Sequence, residues 1–157
     1  MSDYELRRAT SLDAATITGH RRAMFADMGY TDAARLKAMD AAFLPWVTAH
    51  LERGEYLGWL ARDATGVVVA GAGLWIMEWP PHALGVDPRR GNILNVYVAP
   101  GYRRRGLARR LMQVVLDECR ASGLEAVILH ASEAGRPLYE ALGFTPTNEM
   151  RRLLAEG

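Results

Sequence analysis

The sequence predicts an α/β fold: a mixed, mostly antiparallel central sheet flanked by helices, in the order β-α-α-β-β-β-α-β-α-β. Three observations predict it. Two strand-like runs, "EYLGWLAR" and "GVVVAGAGLWIM", flank a short turn-forming stretch ending at Gly66, the pattern of an antiparallel hairpin. A strand-helix-strand crossover then runs from "NILNVYV" through a long helical pattern to "EAVILHA". Ahead of both, apolar residues recur at helical spacing over two segments.

Taken in order, Tyr4 to Ala9 is the first strand, and Ser11 caps a helix opened by Asp13 and Ala14. Ile17, Met24 and Met28 carry the period of that helix until Gly29 stops it. Thr31 or Asp32 caps a second helix, with Leu36, Met39, Phe43, Trp46 and Leu51 on its apolar face. Pro45 lies inside that pattern and is expected to kink or split it; Gly54 ends it. After the hairpin, residues 79–91 carry three prolines and two glycines and read as a long loop. Trp79 in that loop is a candidate pocket wall, whereas Phe43 and Trp46 read as core.

The crossover helix spans about Gly106 to Ser122, its apolar face built from Leu107, Leu111, Val114, Val115 and Cys119, with Gly123 at the C′ position. The nearly continuous apolar run "EAVILHA" fits a strand covered on both faces, which makes His130 a hydrogen-bonded core histidine. "GRPLYEAL" is a short helix ending at Gly143, and "NEMRRLL" is a closing strand.

Composition limits what this fold can do. The 157 residues suit one domain over 1–157, and neither repeats nor low-complexity segments interrupt it. Half the residues are hydrophobic and the formal net charge is +1, so no broad basic surface is expected to attract nucleic acid or membrane. Cys119, the lone cysteine, excludes an intramolecular disulfide and reads as a small buried residue. His20, His50, His82 and His130 show no metal-ligand spacing, so no metal is expected. The first ten residues, "MSDYELRRAT", lack the apolar core of a signal peptide, and a cytoplasmic location is the simplest expectation.

Against that near-neutral background, "NVYVAPGYRRRGLAR" concentrates Arg103, Arg104 and Arg105 at a helix entrance. A helix N-terminus presents backbone N–H groups without intrahelical partners, and its dipole adds positive potential, so such a turn attracts anions. Gly106 lets the backbone approach a ligand, and Ala108 is the next small residue. The plain alternative is an ordinary strand-to-helix turn with solvated arginines. The turn is neither a Walker A loop nor a G-x-G-x-x-G fingerprint.

"VYVAPGYRRRGLARRLM", followed later by "SEAGRPLYEALGF", resembles the GNAT superfamily of acyl-CoA-dependent N-acetyltransferases. The first segment resembles that family's Q/R-x-x-G-x-G/A signature and the second its N-x-x-A-x-x-L-Y-E-x-L-G-F segment. The resemblance implies acetyl-CoA as donor and direct transfer to an amine acceptor, with a homodimer possible. It implies that Arg103, Gly106 and Ala108, with Leu107 and Arg109, cradle the CoA pyrophosphate. Val96, Tyr97 and Val98 would flank the pantetheine arm and offer it backbone groups. Arg104 and Arg105 would either neutralise phosphates or face water. Ser132 stands where the family often has asparagine, and Gly135 takes the place of a small residue.

Transfer from a thioester to an amine requires a neutral amine, donors for the oxyanion and a proton for the leaving thiolate. By resemblance, Tyr139 supplies that proton; otherwise it is an aromatic whose hydroxyl is satisfied locally. Glu78 is a candidate base, or an edge carboxylate in solvent. Asn95 either orients a polar group on the central strand or faces water. A longer acyl-CoA donor and a non-catalytic acyl-CoA-binding module remain open alternatives.

Overall fold

A computed structural model describes residues 3–155. The chain runs β1 (Glu5–Arg8), α1 (Ala14–Asp27), α2 (Ala33–Glu52), β2 (Tyr56–Arg62), β3 (Val68–Glu78), β4 (Arg89–Val98), α3 (Leu107–Ala121), β5 (Val127–Leu129) and α4 (Arg136–Ala141). The five strands form one sheet in chain order. Each pair is antiparallel except β4 with β5, which is parallel because α3 carries the chain back between them.

Helices cover both faces, and the sheet separates two cores. On one face α3 presents Leu107, Leu111, Met112, Val115 and Cys119 to Trp59, Ala70, Ala72, Leu74 and Ile93. On the other, α1 and α2 bury Ile17, Phe43 and Val47 against Tyr56 and Leu60. Side chains alternate between these faces along each strand, so the strand pattern decides which core each residue joins.

Local chemistry sets the boundaries. Thr10 and Asp13 form a capping box ahead of α1, and Asp32, rather than Thr31, caps α2 by accepting from the amides of Ala34 and Arg35. Asp63 closes the β2–β3 turn, accepting from Thr65 N and Val67 N.

Four expectations are corrected here. Helix α2 runs unbroken through Pro45. Pro45 lies on the exposed side, so the carbonyl it leaves unpaired meets water, while buried Phe43 and Val47 hold both halves in line. Strand β5 is confined to Val127–Leu129 and half-buried, so "EAVILHA" is not covered on both faces; His130 is exposed, its Nε2 3.5 Å from Glu149. The closing strand is absent: "NEMRRLL" forms no strand, and Met150 and Leu154 stand in solvent. Its two adjacent arginines and two adjacent leucines lack the alternation that would give one buried face. The loop before β4 is also shorter than read, since β4 begins at Arg89.

Candidate active site

The site begins at a break in strand pairing. Strand β4 pairs regularly with β3 through Gly73↔Leu94, then resumes at Gly71↔Tyr97, so Asn95 and Val96 together oppose one residue, Ala72. This is a β-bulge, and Asn95 takes it up with φ 57°, a left-handed conformation that asparagine tolerates better than most residues. The bulge shifts the alternation. Leu94 and Asn95 both face α1 and α2, whereas Val96 and Val98 pack toward α3.

Beyond the bulge β4 loses β5, whose pairing ends at Ile93↔Leu129. Ala99 N donates to Val69 O on the β3 side (2.8 Å). By alternation, the peptide groups of Val96 and Val98 turn the other way, into the gap that β5 leaves. The Val98 carbonyl accepts from Arg103 Nε at 2.8 Å, which leaves the peptide groups around Val96 facing the gap.

That gap opens into a groove of about 1050 Å³, whose lining includes Val96–Val98, Arg103, Arg104, Gly106–Arg109, Ser132, Gly135 and Tyr139. At one end stands the N-terminus of α3. Gly106 is its N-cap at φ 78°, no side chain caps it, and a Cβ on Gly106 would meet no protein atom within 4 Å. The first amides of α3 are therefore available to a ligand, with the helix dipole behind them.

The three arginines divide their tasks. Arg103 is exposed but tied back to the protein, bonded to Val98 O and paired with Asp27 at 2.7 Å. Arg105 turns away from the groove, donating to the Tyr4 hydroxyl at 2.8 Å and lying over the Tyr102 ring. Arg104, at φ 63°, lines the groove and makes no hydrogen bond or ion pair among the described residues.

At the other end Tyr139 is 9% exposed, its ring edge-on to Phe144 and tight against Gly135, where a Cβ would lie 2.8 Å from Tyr139 Cε2. This contact explains why glycine is suited to position 135. Among the described residues the Tyr139 hydroxyl has no hydrogen-bond partner, and burial pushes its pKa above the ordinary phenol value. Ser132 caps the turn into α4: its Oγ accepts from Gly135 N at 3.1 Å and its carbonyl from Arg136 N. Its hydroxyl oxygen is thus partly committed to the fold.

Glu78 is not brought to this groove. It ends β3 opposite Arg89, the first residue of β4, whereas the groove lies at the other end of β4. Trp79 is outside it as well, beneath the Arg90 guanidinium at 3.6 Å. Among the described residues, the carboxylates lining the groove are Asp27, tied to Arg103, and exposed Glu133. Among the described residues, no group of histidine, cysteine or acidic side chains is placed to hold a metal ion.

Sequence reasoning missed the wall supplied by α1, namely Met24, Asp27, Met28 and nearby Tyr30. It also missed Arg21, whose NH1 donates to Asn95 Oδ1 at 2.9 Å while Asn95 Nδ2 donates to the buried Tyr56 hydroxyl at 3.0 Å. A signal was present: Arg21 sits between Ile17 and Met24 at helical spacing, a charge inside an apolar stripe.

The fold agrees with comparisons to known proteins. The sequence profile of the acetyltransferase (GNAT) family matches residues 21–144, and the chain belongs to that family. A GCN5-related N-acetyltransferase from Ralstonia eutropha JMP134 is 39% identical and superposes with a TM-score of 0.93, covering 98% of this chain and 99% of that one. A predicted acetyltransferase from Clostridium acetobutylicum, solved with acetyl-CoA, shares the fold at a TM-score of 0.84 and 24% identity, covering 96% of this chain and 95% of that one. A glucosamine 6-phosphate N-acetyltransferase from Trypanosoma brucei brucei is 37% identical over 92 residues, which span 59% of this chain and 60% of that protein's length.

Proposed function

We propose that the chain is an N-acetyltransferase that moves the acetyl group of acetyl-CoA directly onto a primary amine. One observation carries this reading: an uncapped helix N-terminus, the strand peptide groups around Val96 and an unpartnered tyrosine hydroxyl line a single groove. The family's use of a CoA donor supports acetyl-CoA as the molecule that fills it.

In this reading the amides of Gly106, Leu107, Ala108 and Arg109 take the diphosphate, and Arg104 adds a cation at the rim. Arg103 orients the turn through Val98 and Asp27 rather than by meeting phosphate itself. The pantetheine arm runs beside β4 in the place a continuing β5 would take, bonding the peptide groups at Val96. Ser132 and Tyr97 flank it. The thioester then reaches the bulge, where a free strand amide stabilises the developing oxyanion.

The amine nitrogen attacks the thioester carbon, the C–N bond forms, and the C–S bond breaks as the tetrahedral intermediate collapses. Tyr139 gives its proton to the departing sulfur, and the resulting phenolate is restored by the proton lost from the new amide nitrogen. The proton that the ammonium sheds before attack goes to solvent. The carboxylate of Glu78 lies too far along the sheet to receive it directly. No covalent enzyme intermediate is needed, consistent with the burial of Cys119, whose thiol is pushed up to about 11 by desolvation.

Thiol release from acetyl-CoA across a panel of amines tests this reading, with glucosamine 6-phosphate included because of the Trypanosoma relative. Tyr139→Phe should lower turnover at saturating donor by about 10²–10⁴-fold with CoA affinity retained. An unchanged turnover number would remove Tyr139 from the chemistry.

A further inference from the structure

The face of β4 opposite the groove carries a cation that nothing above uses. Arg21 projects from α1 with its NH1 on Asn95 Oδ1 (2.9 Å), one residue from the free peptide groups of the bulge. Its guanidinium lies over two rings, Phe25 at 5.0 Å and Phe43 at 4.8 Å, and its Nε is sealed from solvent without a hydrogen-bond partner. Among the described residues Arg21 is in no ion pair. On α2, Asp40 is tied to Arg22 at 2.7 Å. Burial accordingly pulls the Arg21 pKa down, and no carboxylate offsets that effect.

A half-buried guanidinium without a counter-charge is costly, and a merely structural role is filled more cheaply by an uncharged residue. The direction of attack gives the charge a purpose. If CoA fills the groove along the Val96 side of β4, the face left to the amine is the α1–α2 side, where Arg21 stands beside Asn95. We infer that Arg21 is an acceptor-binding residue that pairs with an oxyanion, carboxylate or phosphate, carried by the amine substrate. This rests on the acetyltransferase reading. The aromatic faces hold the guanidinium plane, Asn95 fixes NH1, and the hydrogens left on NH1 and NH2 meet the anion as a fork while Nε stays sealed. Such an ion pair orients the amine and selects for acceptors in which the two groups are close together.

Two measurements test it. The first compares acetylation of matched amines: glucosamine 6-phosphate against glucosamine, and glutamate against its bis-amide. In the wild-type protein the anionic member of at least one pair should show kcat/KM at least tenfold higher, and which pair responds separates phosphate from carboxylate. Arg21→Gln should abolish that preference through KM, and Arg21→Lys should restore part of it. Arg90→Gln, which removes a cation at the far end of β4, should leave it intact. Equal rates within both pairs, or a preference lost in Arg90→Gln and kept in Arg21→Gln, would overturn the inference while leaving the acetyltransferase reading in place. The second measurement follows the Arg21 Nε–H resonance of acetyl-CoA-saturated protein during titration with glucosamine 6-phosphate and with glutamate. A saturable shift with one of them supports the site even if no amine in the panel is acetylated, an outcome that would sink the proposed function alone. No shift with either overturns the inference.

Discussion

Tyr139 shows how a single residue is tuned by its place. Its ring is packed against Gly135 and Phe144, so the hydroxyl is fixed at the groove, and desolvation favours the neutral phenol. Its folded pKa is raised, so the acid form persists through and above the ordinary phenol range. The amine must instead lose a proton to attack. A plot of kcat/KM against pH should therefore rise with the acceptor's deprotonation and show no descending limb below about pH 10. A descending limb near pH 7 would assign the proton donor elsewhere. Tyr139 and Gly106 were legible because each lies in a short run whose neighbours constrain it. Asn95 was read as a residue that either orients a polar group or faces water, but its partner Arg21 was not legible, because the pairing joins residues 74 positions apart and depends on a bulge that no local pattern announces. Glu78 misled for the same reason: a carboxylate at a strand end has no address until the register is known.

At the scale of elements, α3 does two jobs. Its apolar stripe anchors one core, and its N-terminus, held open by the positive φ of Gly106, is the proposed diphosphate cradle. Gly106→Ala forces a Cβ into that left-handed conformation at a cost of about 1–2 kcal/mol. It also places a methyl group where the ligand would lie. Calorimetric titration should show weaker CoA binding than the stability loss alone explains; unchanged affinity would contradict the cradle. The amphipathic pattern of α3 was easy to read, since one face of a helix reports on one core. The closing segment was not, because strand formation depends on a partner edge, and "NEMRRLL" offers no alternation by which to judge it. Pro45 shows the converse: a strong local breaker is overridden when its lost hydrogen bond lies on the wet side.

For the molecule as a whole, one sheet divides the labour. In the proposed reading the groove between α3, α4 and the end of α1 takes the donor, the α1 and α2 face of the sheet takes the acceptor, and the bulge in β4 joins them. This arrangement needs α1 anchored firmly to the sheet. Arg7 of β1 and Asp13 before α1 supply part of that anchor through paired contacts of 2.8 and 2.9 Å. The Arg7 hydrogen bond holds the Asp13 carboxyl below the usual carboxylate range. A lowered folded pKa stabilises at neutral pH and ceases to do so as pH falls through it. Denaturant unfolding should thus find Asp13→Asn less stable by about 1–2 kcal/mol at pH 7, with the gap closing in acid. A gap independent of pH would show that the charge contributes nothing.

The central claim is that main-chain donors at the start of α3 grip the CoA diphosphate, and a crystal structure of the protein with CoA tests it most directly. The diphosphate oxygens should lie within hydrogen-bonding distance of the Gly106–Arg109 amides, with the pantetheine beside Val96. A diphosphate bound elsewhere, with those amides facing solvent, would contradict it.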